Sequence, residues 1–114
     1  MEHRMRLKPS PFEKIKQGTK TMELRLYDEK RRKISIGDRI CFVNMEDEGE
    51  TLFVEVKNLY VFESFEKLYQ RLPLTSCGYT QEDVHRASPR DMEEYYSPKQ
   101  QAEVGVVGIE ISLL

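Results

Sequence analysis

Apolar and polar residues alternate at several places along the 114-residue chain. The cleanest run, Val107-Gly108-Ile109-Glu110-Ile111-Ser112-Leu113, predicts a strand whose regularity suits the interior of a sheet. Met22, Leu24 and Leu26 alternate with Thr21, Glu23, Arg25 and Tyr27, which predicts a second strand. Arg39–Asn44 follows the tight turn Gly37-Asp38 and reads as a third. Leu52–Phe62 is a long fourth strand, clearest where Val54 and Val56 alternate with Glu55 and Lys57. Residues 45–50, with three consecutive acids and Gly49, form an exposed hairpin turn between the last two.

Elsewhere the period lengthens to that of a helix. Ser10-Pro11-Phe12-Glu13 has the form of a capping box, with Pro11 at the first helical position and Phe12 and Ile15 towards one face. Gly18 ends that helix, because glycine adopts the left-handed conformation cheaply. Phe65, Leu68, Tyr69 and Leu72 predict a helix over 64–72, stopped by Pro73. Thr80, Ser88 and Ser97 each open a further short helix. The charged run Asp28–Lys33 reads as a solvated connection. Short strands with helices between them, joined by short links, predict an α+β fold: a small barrel of mainly antiparallel strands with short flanking helices. No repeat, low-complexity tract or linker interrupts residues 1–114, so one domain is expected.

Composition narrows the class. No apolar run approaches the roughly 20 residues of a membrane span, and the N-terminus lacks a signal-peptide stretch, so a cytoplasmic protein with no membrane partner is expected. Cys41 and Cys77 form neither a disulfide framework nor a metal pair. Cys41 reads as a core residue, and Cys77, before Gly78, as a partly exposed loop residue. His3 and His85 lack the neighbours that make a ligand or base and read as packing or surface residues. No glycine-rich phosphate loop or metal motif is present, so no metal and no cofactor are expected.

The net charge of -2 conceals a division. Residues 1–42 carry twelve Lys/Arg against six Asp/Glu, and the remainder six against fourteen, giving +6 and -8. A basic half suits an anionic partner. Within it, Lys20, Glu23 and Arg25 open the second predicted strand, with Glu23 and Arg25 on one face. Lys20 suits a phosphate anchor or, when desolvated, a general base. Glu23 suits acceptance of an amino group, orientation of water or the holding of Arg25. An ordinary salt-bridged strand face has the same pattern. Tyr95, Tyr96 and Ser97 stand beside a predicted helix start, where aromatics stack on a base and free N–H groups meet phosphate. Sealing of the barrel end is the packing alternative for the two tyrosines.

Phe12-x-x-Ile15-x-x-Gly18-x-Lys20-x-x-Glu23-x-Arg25, followed by Ile36-Gly37-Asp38-x-Ile40-x-Phe42, resembles the ASCH domain, named for homology to activating signal cointegrator 1. The likeness continues to Gly105-Val106-Val107-Gly108-Ile109-Glu110 and covers nearly the whole chain, as in the small stand-alone bacterial-type members. It implies a PUA-like barrel with a cleft beside the strand that carries Lys20 and Glu23, and RNA, a nucleotide or a modified nucleoside as partner. Some small ASCH proteins are amidohydrolases that deacetylate N4-acetylcytidine, and others have been described as ribonucleases. The amidohydrolase set is a lysine, a threonine three residues later and a distant glutamate. Lys20 matches the lysine, but Glu23 occupies the threonine position. Thr21, expected on the same strand face, is the nearest hydroxyl in sequence, and Glu82, Glu93 and Glu94 compete for the distant glutamate. RNA or nucleotide binding is the leading expectation, with amidohydrolase or ribonuclease activity as alternatives.

Overall fold

The computed structural model describes residues 1–114. Five strands form one sheet in the order β1-β3-β4-β5-β2: β1 (Glu2–Leu7), β2 (Met22–Leu26), β3 (Arg39–Asn44), β4 (Asp47–Phe62) and β5 (Val106–Leu113). Three of the four pairings are antiparallel, and β1 lies parallel to β3. β5 pairs on both sides, with β4 and β2, in the interior place expected of it. Four short helices flank the sheet: α1 (Pro9–Lys16), α2 (Glu29–Arg32), α3 (Phe65–Arg71) and α4 (Pro98–Val104). Three 3-10 turns occupy much of residues 74–94.

β1 has no counterpart among the elements expected above. Its outward positions are Glu2, Arg4 and Arg6, and one inward position is His3, so only Met5 and Leu7 mark the buried side. His3 is a packing residue, hydrogen-bonded through Nε2 to Asp38 Oδ2 at 2.9 Å. Three further expectations need correction. Helix α1 begins at Pro9, with Lys8 as its cap, and Ser10 forms no capping box. The reason lies in the two prolines: both fall in the first turn, where no backbone N–H needs an intrahelical partner. The run 28–33 is not a plain connection, because Asp28 caps α2 by accepting from Arg31 N–H. Thr80 opens only a turn leading to a 3-10 segment.

The sheet is a half-barrel, since β1 and β2 share no ladder and lie at its two edges. Side chains bridge that seam. Arg25 Nη2 donates to the β1 carbonyl of Arg6 at 2.9 Å, and Lys30 Nζ to that of Arg4 at 2.9 Å. Each satisfies an edge acceptor that a closed barrel would have paired.

Two apolar clusters hold the fold. Phe12 and Ile15 of α1 pack with Phe42, Val54, Val107 and Ile109 in the barrel interior. Burying each such side chain stabilises by about 1.5–3 kcal/mol, which an eight-residue helix needs because it is marginal alone. On the other face, Phe65 and Leu68 of α3 pack on Met22, Leu24 and Val106. Cys77 joins this second cluster and is buried, contrary to its expected exposure. The segment around it packs against β2 and is tied there by Thr21 N–H donating to Ser76 C=O at 2.9 Å.

Candidate functional site

Strand alternation puts Glu23 and Arg25 on the face opposite Met22 and Leu24, which belong to the second cluster. Gly18, with φ of 83°, turns the chain out of α1 and delivers Lys20 to the start of β2. The three side chains meet. Lys20 Nζ lies 3.1 Å from Glu23 Oε1, and Arg25 Nε donates to Glu23 Oε2 at 2.6 Å. Glu23 is 5% exposed, and its partners 11% and 13%. Burial alone would push the Glu23 carboxyl up, but the two cations together hold it below the usual range. Burial likewise works against the Arg25 charge, and Glu23 outweighs it.

This trio lines a cleft of about 560 Å³ between the end of β1, helix α1, strand β2 and the segment that follows α3. Arg6, Lys8, Lys14, Lys20 and Arg25 face it against only Glu23 and Asp83, so its wall is strongly cationic. All five cations come from the basic half of the sequence. Tyr69, Tyr79, Tyr95 and Tyr96 supply aromatic surface. Tyr96 stacks on Phe65 with centroids 6.0 Å apart, whereas Tyr95 is half exposed beneath Lys8 Nζ, 4.8 Å from the ring centroid. One tyrosine thus packs and the other stays open. Lys14 Nζ donates to Gly78 C=O at 2.7 Å and ties α1 to the far wall. Burial pushes the Cys77 thiol up to about 11, leaving a packing residue at the cleft floor.

Other expected site residues fall outside. Thr21 is exposed just before β2 and does not line the cleft, so its hydroxyl does not share the buried setting of Glu23. Ser97 caps α4, accepting from Gln100 N–H while Gln100 reaches back. Glu82 is exposed, Glu94 pairs with Lys8 across 3.4 Å, and Glu93 borders a separate hollow of about 880 Å³. That hollow carries Glu63, Glu66, Glu93 and Glu103 against Arg90, a poor setting for an anion. Lys14, Tyr69 and Tyr79 were not anticipated. Each comes from a different segment, and no spacing within one element links them.

A mixed five-stranded half-barrel with short helices and a cleft beside β2 is a PUA-like architecture. The model of the ASCH domain matches residues 5–114, and the chain belongs to the ASCH domain family, which is PUA-like and generally RNA-binding. It is similar over its full length to the hypothetical protein PH0355, at 34% identity and a TM-score of 0.83, with all of that chain covered. Protein PF0455 from Pyrococcus furiosus is also 34% identical, with a TM-score of 0.76 and coverage of 100% of this chain and 98% of that one. An ASCH protein from Zymomonas mobilis, 15% identical over 97% of this chain and 68% of its own, shares the fold at a TM-score of 0.67. Comparison with curated proteins gives no match. No helix is long and apolar enough to cross a membrane.

Proposed function

We propose that the protein binds single-stranded RNA or a nucleotide in the cleft around Lys20, Glu23 and Arg25. The cationic, tyrosine-bearing wall is the observation that carries this reading. Ammonium and guanidinium groups pair with phosphate, and an open tyrosine such as Tyr95 stacks on a base. Lys20 has three N–H donors and engages Glu23 with one, which leaves donors for an anion. Neither Glu23 nor the exposed Thr21 offers the cleft the hydroxyl that the amidohydrolase branch uses, so binding without turnover is the reading adopted.

The test is fluorescence anisotropy with a short single-stranded RNA at low salt. Lys14→Ala and Lys20→Ala should each weaken binding and lower the slope of log affinity against log salt by about 0.7, the loss of one phosphate contact on a single strand. Circular dichroism confirms that each variant is folded. Absence of binding at low salt, or slopes unchanged by both substitutions, would overturn the proposal. Incubation with N4-acetylcytidine should release no acetate, and measurable release would overturn binding without turnover.

A further inference from the structure

Tyr69 and Tyr79 face the cleft from separate segments, and their hydroxyls meet at 2.7 Å. Viewed as a pair, either oxygen is able to donate. Asp91 removes the ambiguity. Tyr79 gives its one proton to Asp91 Oδ2 at 2.7 Å, because a carboxylate only accepts. With that proton engaged, Tyr79 Oη accepts from Tyr69. Ser88 N–H donates to the same Asp91 oxygen at 3.2 Å and holds the carboxylate in place. Tyr69 therefore offers a ligand lone pairs and no proton. Both phenols stay protonated at neutral pH: burial raises Tyr69 to about 12, and burial together with Tyr69 and Asp91 raises Tyr79 further.

Glu23 is the second acceptor in the cleft, held ionised between Lys20 and Arg25. The cations suit phosphate and carbonyl oxygens, and the two acceptors suit N–H groups. Bases differ on this point. Cytosine and adenine carry an exocyclic amino group, where uracil carries a carbonyl. A carbonyl set against Tyr69 Oη places two oxygens together with no proton between them, and a buried polar group left unpaired is costly. A cleft of about 560 Å³ has the size that takes a drug-sized ligand, and single strands present bases freed from pairing. We infer that the cleft selects an unpaired nucleotide whose base carries an exocyclic amino group, with Tyr69 as the specificity-determining acceptor. This rests on the RNA-binding reading above.

The experiment compares short single-stranded oligocytidylate, oligoadenylate and oligouridylate of equal length by anisotropy at one low salt concentration. The first two should bind about tenfold more tightly than oligouridylate, the worth of about one well-placed hydrogen bond. Tyr69→Phe should narrow that ratio. Tyr79→Phe supplies the decisive second readout: the Tyr69 hydroxyl, relieved of its partner, becomes able to donate, so oligouridylate should gain relative to the other two. A purely structural role for Tyr69 would shift all three affinities together. Equal binding of the three oligomers by the wild-type protein overturns this inference and leaves the RNA-binding reading standing, as does a ratio untouched by both variants. Failure to bind any of them overturns both.

Discussion

Glu23 is the residue on which the site turns. Two largely covered cations depend on one buried carboxylate, and removing one partner of such an ion pair leaves the others without compensation. Glu23→Gln should therefore destabilise the protein by about 3–5 kcal/mol, read from the urea midpoint. The pH dependence follows from the same group. Its folded pKa lies below its ordinary value of 4.5, so its stabilisation is fully present above that pH and is lost as pH falls through the folded value. Asp38 behaves alike: the His3 hydrogen bond and the Ser35 N–H hold it at about 2, and its contribution fades from 3.8 downwards. Thermal midpoints should fall below about pH 4.5 in the wild type, and less steeply in Glu23→Gln. A flat profile from pH 5 to 3 would contradict the assignment. Lys20, Glu23 and Arg25 were legible in the sequence because they sit within six residues of one strand start. The Tyr69–Tyr79–Asp91 chain was not, because its members meet only after three segments have packed.

At the scale of elements, caps and turns decide where the short helices stand. Ser97 and Gln100 form a reciprocal capping box at the start of α4. That helix carries the buried Gln101, whose Oε1 accepts from Phe65 N–H at 3.1 Å and so locks α4 to α3. Ser97→Ala should cost about 0.5–2 kcal/mol, measured by chemical denaturation. Gly105 then turns the chain into β5 with φ of 76°, and an added Cβ would lie 3.0 Å from the Phe62 carbonyl oxygen. Gly105→Ala meets backbone strain and a backbone clash together, and should cost about 1–3 kcal/mol on the same assay. The Ser88 and Ser97 starts were legible because a capping box is local chemistry. Strand β1 escaped because the polar His3 takes one of its three inward positions, leaving only Met5 and Leu7 to mark the buried side, and its parallel partner lies 37 residues away, with Glu2 opposite Arg39.

At the scale of the molecule, the +6 half of the sequence supplies every cation of the cleft. Set against Glu23 and Asp83, these five leave a net charge of +3, so about three phosphates are neutralised and the log–log salt slope for single-stranded RNA should lie near -2, at about 0.7 per phosphate. A slope near zero would contradict phosphate contact. Arg25 works at this scale too, since one guanidinium pairs with Glu23 and bridges the open seam to β1. The sequence by itself determined the class of fold, most strands and helices, the charge division and the Lys20-Glu23-Arg25 constellation. These follow from local periodicity, capping chemistry and spacing on one strand. Only the tertiary structure decided that the barrel is open at β1 and β2, that Thr21 and Ser97 stand outside the cleft, and that Lys14, Tyr69 and Tyr79 line it. Those outcomes depend on which distant segments pack together to bury apolar surface, and a non-directional force of that kind leaves no fixed spacing in the chain.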